Sequence, residues 1–298
     1  MHKKVILISL ISFSIFIEAG GSKQIKQCIS NTISSQHSTK LVTSQASYNT
    51  IANSITSNNT TLNSDKKSNL TSNDKNFNNS SKTNYQLTNC VYKNKNVIIV
   101  YPKIVNLKDS YKEKKINELI KFDALNLLNL YKASDKEFNL DINYEIKWKS
   151  SNVLSIQYFG MVNFKGAAHP NNLFFTTNLN INKARKIRLN ELVNIDKTLS
   201  TKFKSGKYIN KFGVSAELNT AINMELDRLN NKDLIKMFKK TDTITSESYS
   251  YLTKDSLGLS IVVPHPVGDH AEFEIKYAEL TNNIKFENEI WKDWINPR

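Results

Sequence analysis

The feature that most limits what this chain can fold into is a change of composition near residue 88. Residues 22–88, as in ITSNNTTLNSDKKSNLTSNDKNFNNSSKTN (55–84), are almost wholly Ser, Asn, Thr and Lys. So few apolar side chains do not offset the conformational entropy lost on ordering a core. The segment is expected to be a disordered linker that acts as a spacer. Any packed core must come from residues 89–298.

The linker follows a stretch with its own signature. Lys3 and Lys4 precede Val5–Ile17, a run of apolar residues and serines, and Ala19, Gly20 and Gly21 are small. That is the anatomy of a secretory signal peptide over residues 1–21. The alternative is an uncleaved anchor, which would be the protein's only membrane contact. The apolar run falls short of the roughly 20 residues a span needs. The expected location is therefore outside the cytoplasm, secreted or held at the cell envelope. In an oxidising compartment Cys28 and Cys90 can pair or stay as two thiols. A bridge would close a long loop, worth roughly 4 kcal/mol in the chain-entropy picture.

The net charge is +14. Residues 1–88 hold 9 Lys and 3 acids, or +6, which leaves +8 on residues 89–298. The excess clusters at 183–188, 202–211 and 236–240. Lys183, Arg185, Lys186, Arg188, Lys202, Lys204 and Lys207 are the candidate contact surface for an envelope component such as an anionic wall polymer or lipid head groups. No nucleic-acid-binding signature is present, so nucleic acid is not an expected partner.

Beyond residue 88 the pattern is α+β. Residues 90–107 are rich in Val, Ile and Tyr and read as strand. Residues 109–134 read as one helix with Asp109 or Ser110 as N-cap, since Ile116, Leu119, Ile120, Leu127, Leu128 and Tyr131 recur at spacings of three and four. In 137–150, Phe138, Leu140, Ile142, Tyr144, Ile146 and Trp148 alternate onto one side. Strands 153–164 and 173–181 complete an antiparallel meander packed on the helix. A short strand leading into a helix is expected over 187–194, helices over 214–230 and 231–240, and a hairpin over 248–265 turning at Lys254–Ser256. A strand at 271–280 is expected to end helically, before a packed turn with Trp291 and Trp294. Two subdomains follow, 89–182 and 183–298.

YFGMVNFKGAAHPNNLFFTTNLNINKARKIRLNELVN (158–194) and LGLSIVVPHPVGDHAEFEIKYAEL (257–280) together resemble a known family. The first holds a strand, a GGAHP-like turn, a second strand and a Leu-x-x-Leu segment. The second holds a strand, a Pro-bounded bend, a Gly and a strand ending in Tyr-x-x-Leu. They are similar to the extracytoplasmic domain of RsiV-type anti-sigma factors and to the domain of unknown function that accompanies the catalytic domain of the peptidoglycan deacetylase PdaC. Ala167 replaces the second glycine of the turn. The resemblance implies an exported α+β module, with a lysozyme-like protein as a candidate partner. It implies no cofactor and no deacetylase chemistry.

Two places could carry chemistry. His169 could act as a base or ligand. It has no acid, Cys or second His within ten residues, so with Gly166 and Pro170 it reads as a structural turn. Residues 264–274 crowd His265, Asp269, His270, Glu272 and Glu274, with His265, Asp269 and His270 as weak metal candidates in no established spacing. Glu272 and Glu274 share one side of a strand, facing solvent on the simplest reading. Three functions stay open: a noncatalytic binding or sensing module, an enzyme on wall glycan using His169 or 265–274, and a structural envelope protein. Convergence of His169, His265, Asp269, His270 and Glu272 in one cleft would favour the enzyme.

Overall fold

The computed structural model describes residues 27–29, 83–132, 136–210, 215–243 and 246–295. The signal-like residues 1–21 and the linker other than 27–29 and 83–88 lie outside the described residues. Two pieces of that low-complexity segment are strand: β1 (Gln27–Ile29) pairs antiparallel with β2 (Gln86–Asn94), which itself starts before residue 89. Composition does not mark β1, because three residues carry no periodicity.

β2 turns at Lys95, which sits at positive φ, into β3 (Val97–Val105). Helix α1 (Ser110–Lys132) follows. Asp109 Oδ1 accepts the Lys112 N–H at 3.0 Å, which supplies the expected cap. Ile116, Ile120, Ala124 and Leu128 recur every four residues and are all buried against the sheet. The Asn117 side chain bonds both backbone groups of Ile104 at 2.8 Å, tying α1 to β3. β4 (Phe138–Lys149), β5 (Val153–Phe164), β6 (Asn171–Asn180) and the short β7 (Arg185–Lys186) complete a seven-stranded sheet in chain order.

The meander is antiparallel from β4 onward, as the sequence suggests. β3 and β4 instead run parallel, with Val97 opposite Leu140. Helix α1 carries the chain back to the start of β3, which makes this one pair a helix-bridged crossover. Trp148 departs from its expected side. The register of β4 on β5 shifts between Ile146 and Trp148, and the bulge turns the indole over. Phe138, Leu140, Ile142, Tyr144 and Ile146 stay in the α1 core, while Trp148 joins the second core and stacks on Trp294 at 5.4 Å.

The second half begins with α2 (Leu189–Leu192) and α3 (Lys197–Lys204), then β8 (Lys207–Ile209), α4 (Ala216–Arg228) and α5 (Asn231–Phe238). The strand expected at 187–194 is β7, two residues earlier, and 189–192 is already helical. Asp196, Ser215 and Asn230 cap α3, α4 and α5 by accepting a backbone N–H, each worth about 1 kcal/mol. β9 (Ser248–Leu252), β10 (Ser256–Val262) and β11 (His270–Lys276) form an antiparallel sheet in the order β8-β11-β10-β9. Phe203 of α3 meets Phe238 of α5 and Phe273 of β11 edge-on, at 5.1 and 4.9 Å. One face of this sheet is thereby sealed by helices. A 3-10 turn (Tyr277–Glu279) ends β11, and α6 (Lys292–Ile295) closes the described chain, with Trp291 buried beside it. The fold is α+β.

The two sheets meet along a polar seam. β9 shows its open edge to β5 and β6, and side chains cover that edge. Thr176 Oγ1 and Asn178 Nδ2 donate to the Ser250 carbonyl at 2.6 and 2.8 Å. The Leu252 N–H donates to Ser155 Oγ at 3.0 Å, and the Ser250 N–H to Asp242 Oδ1 at 2.7 Å. Backbone groups that a further strand would satisfy are met by hydroxyls, an amide and a carboxylate.

Candidate functional site

An open surface cleft of about 430 Å³ lies among the described residues, within the range of small-ligand sites. Its walls are the turn before β7, helix α2 and residues 285–289. These are fixed by backbone and side-chain bonds. The Lys285 N–H donates to the Leu192 carbonyl at 2.9 Å, and Asn288 Nδ2 to the Glu191 carbonyl at 3.0 Å. Trp291 Nε1 donates to the Leu192 carbonyl at 3.2 Å and anchors the segment from below. The lining is polar throughout: Lys183, Arg185 and Lys285 face Glu191, Glu287 and Glu289, with Asn190 and Asn288 between them. Three cations against three carboxylates give a formal charge of zero. Lys183 pairs with Glu289 at 3.1 Å and Arg185 with Glu191 at 2.6 Å. The Asn180 amide, then Lys183, hold the Glu289 carboxyl below its ordinary range.

The candidate contact cations therefore separate. Lys183 and Arg185 line the cleft. Lys186 points the other way, onto Asp123 of α1, whose second oxygen accepts from Thr177 Oγ1 at 2.7 Å. Burial pushes the Asp123 carboxyl up and Lys186 opposes that shift. Arg188 is exposed at the start of α2, where its N–H donates to Glu191 Oε1. Lys202, Lys204 and Lys207 lie on α3 and β8, outside the cleft lining.

The two motif segments meet at one pole of the molecule. His169 and His265 stack with ring centroids 3.5 Å apart and planes 6° from parallel. His265 Nδ1 lies 2.9 Å from Asp269 Oδ1. Asp269 Oδ2 accepts the Asn172 N–H at 2.7 Å, so the β5–β6 and β10–β11 turns are locked together. Gly166 has φ +82°, the backbone state glycine tolerates, and the Ala167 N–H closes the turn on the Phe164 carbonyl. His169 itself only reaches the Pro170 carbonyl at 3.4 Å. Its main contact is the other histidine, across ninety-six positions of sequence (265 − 169). Sequence reasoning misses this, because nothing local to either turn marks a partner so distant.

The five candidate groups divide into two sets. His169, His265 and Asp269 form the stack at the turns. His270 instead approaches Glu272, Nε2 to Oε1 at 3.7 Å, and rests against Phe174. Among the described residues no three His, Cys, Asp or Glu side chains are placed to share a metal ion. Glu272 does not face solvent: it is 6 % exposed and Gln157 Nε2 of β5 donates to it at 3.4 Å. The expected alternation holds, but β5 covers that side of β11. Glu274 on the same side accepts from Tyr251 OH at 3.1 Å.

Pro170 precedes β6, and Cys90 is buried in β2 with Cys28 directly opposite in the β1–β2 register. Directly opposed antiparallel residues have Cα atoms about 4.5–5.5 Å apart, inside the span of a disulfide. No helix among the described residues is long and apolar enough to cross a membrane.

Residues 90–172 match the model of the family described as Deacetylase PdaC. No curated protein matches the chain. Among solved structures, a DUF3298 family member from Bacteroides fragilis NCTC 9343 aligns over 63 % of this chain and 84 % of its own, at 13 % identity and TM-score 0.42. A DUF3298 family protein from Pseudomonas aeruginosa PAO1 aligns over 67 % of this chain and 93 % of its own, at 13 % identity and TM-score 0.39. The segment that matches the PdaC family model, Cys90 to Asn172, holds β3, α1, β4, β5 and the first of the two interlocked turns.

Proposed function

We propose that the chain is an exported, noncatalytic binding module of the cell envelope, and that the cleft beside α2 takes hold of a neutral, polar wall component. The observation that carries this reading is the lining. Its charges cancel, and Lys183 and Arg185 already pair with Glu289 and Glu191 while Lys285 donates to the Asn190 carbonyl. An ion would gain little there, whereas a chain rich in hydroxyl and amide groups meets fixed donors and acceptors at once. Wall glycan has that chemistry. The signal-like residues 1–21 and the segment matched by the PdaC family model support an envelope setting. His169, His265 and Asp269 contact one another whereas His270 contacts Glu272, and this pairing supports the binding reading over an enzyme that draws on all five groups together.

Calorimetry with soluble peptidoglycan fragments tests the proposal. Arg185→Gln with Lys285→Gln replaces two charged donors of the lining with shorter neutral amides that do not reach the same positions, and is expected to weaken binding at least tenfold, about 1.4 kcal/mol. Equal affinity in a variant that melts like the wild type would rule the cleft out.

A further inference from the structure

The lysines beyond the cleft form a second surface. Residues 197–207 contain four lysines (Lys197, Lys202, Lys204, Lys207) and no acid, and residues 231–240 contain four (Lys232, Lys236, Lys239, Lys240) and one acid, Asp233. The fold brings these two stretches together. Helices α3 and α5 pack on each other through Phe203 and Phe238, and both bury their apolar sides on the β8–β11 sheet. At 3.6 residues per turn, Lys232, Lys236 and Lys239 fall within about 60° of one another, opposite buried Leu234 and Phe238. Lys197 and Lys204, seven residues apart, share one side of α3.

None of the eight stands in an ion pair among the described residues, unlike Lys183, Arg185 and Lys186. Eight unpaired cations on adjoining elements repel one another and lower the cost of bringing an anion to them. The patch is lysine alone, which meets phosphate as a point charge without the paired geometry of arginine. Neither stretch shows an exposed large apolar side chain; such residues lie elsewhere, at Met224, Val262 and Phe286 for instance. A surface that settles into a lipid bilayer adds apolar area to its charge, and this one does not.

We infer that the outer face of α3 and α5 binds a flexible phosphodiester or polyphosphate chain by charge. The inference adds a second, anionic partner to the binding-module reading, at a place separate from the cleft.

The test is binding of the full chain to linear inorganic polyphosphate across a salt series, followed by fluorescence anisotropy. Wild type is expected to bind with an affinity that falls linearly on a log–log salt plot. Lys232→Gln, Lys236→Gln and Lys239→Gln together should weaken binding at least tenfold and flatten the slope by about 2, since each phosphate left without its lysine lowers it by about 0.7. The cleft variant Arg185→Gln with Lys285→Gln should bind polyphosphate as wild type does, so failure of the cleft and failure of this surface are told apart. Unchanged binding or slope in a triple variant that melts like wild type would overturn the inference. So would capture by phosphatidylglycerol vesicles without binding to polyphosphate, which would make the patch a lipid surface.

Discussion

Two groups of cations look alike in the sequence and differ in the molecule. Lys183, Arg185 and Lys186 each meet a carboxylate from another element, at Glu289, Glu191 and Asp123. The lysines of α3 and α5 meet none among the described residues. The first group holds β7 and its turn to α1, α2 and the tail, and so belongs to the fold. The second group makes no such link, and it is the surface proposed above to meet an anionic chain. A basic cluster is thus not one kind of feature. What separates the two is whether the topology returns an acid to it, and for Lys186 and Lys183 that acid comes from 63 (186 − 123) and 106 (289 − 183) residues away in sequence.

The comparison sharpens under substitution. The largest expected loss follows Lys186→Met, which strands Asp123 as a buried carboxylate with Thr177 as its main donor. We expect a loss of about 2 kcal/mol in urea unfolding, less than for a fully buried pair because Lys186 is a third exposed. Adding Asp123→Leu should recover much of it, because the pair is then replaced as a unit.

Asp242 gives the next effect, and it has a pH signature. The carboxylate accepts from Ser250 N–H, Ser250 Oγ and Leu189 N–H, yet burial pushes its pKa up to about 6 from 3.8. The folded state then holds more protons than the unfolded state between these values. Its contribution is fully present below pH 3.8 and is lost as pH rises through about 6. Asp242→Asn turns an amide N–H₂ toward donors and should cost about 1 to 2 kcal/mol at pH 7. Urea titrations at about pH 4.5 and pH 7 should show the wild type gaining on the variant at the lower pH. A constant difference would contradict the burial of this group.

The smallest effects mark the surfaces. Arg185→Gln breaks a partly exposed pair and should cost at most about 1 kcal/mol. Lys236→Gln should change stability by less than about 0.5 kcal/mol. A loss above about 2 kcal/mol at Lys236 would show an unrecognised structural role and collapse the distinction between the two groups.

The helix, the meander and the tail are legible in the sequence because they rest on local rules. Ile116, Ile120 and Leu128 repeat at helical spacing, and β4 to β6 alternate between short turns. Alternation misplaces Trp148 because a one-residue bulge inverts every side chain beyond it, and no local residue announces one. The seam is illegible for another reason. Ser155, Asn178, Ser250 and Asp242 look like ordinary polar positions until the open edge of β9 arrives beside them. The site is half legible: the basic run 183–188 points to the cleft, but Glu287, Asn288 and Lys285 come from a stretch that reads as plain polar tail. The His169–His265 stack joins two turns that the sequence treats separately.

The most direct test of the account is retention of the full chain on insoluble cell wall from about 0.05 to about 0.5 M salt, for wild type, the cleft double variant and the α5 triple variant. The account predicts two components in the wild type. One resists salt and disappears with Arg185→Gln and Lys285→Gln. The other fades with salt and disappears with Lys232→Gln, Lys236→Gln and Lys239→Gln. If both variants sediment like wild type at every salt concentration, neither surface holds the wall and the assignment of this chain as an envelope-binding module is wrong.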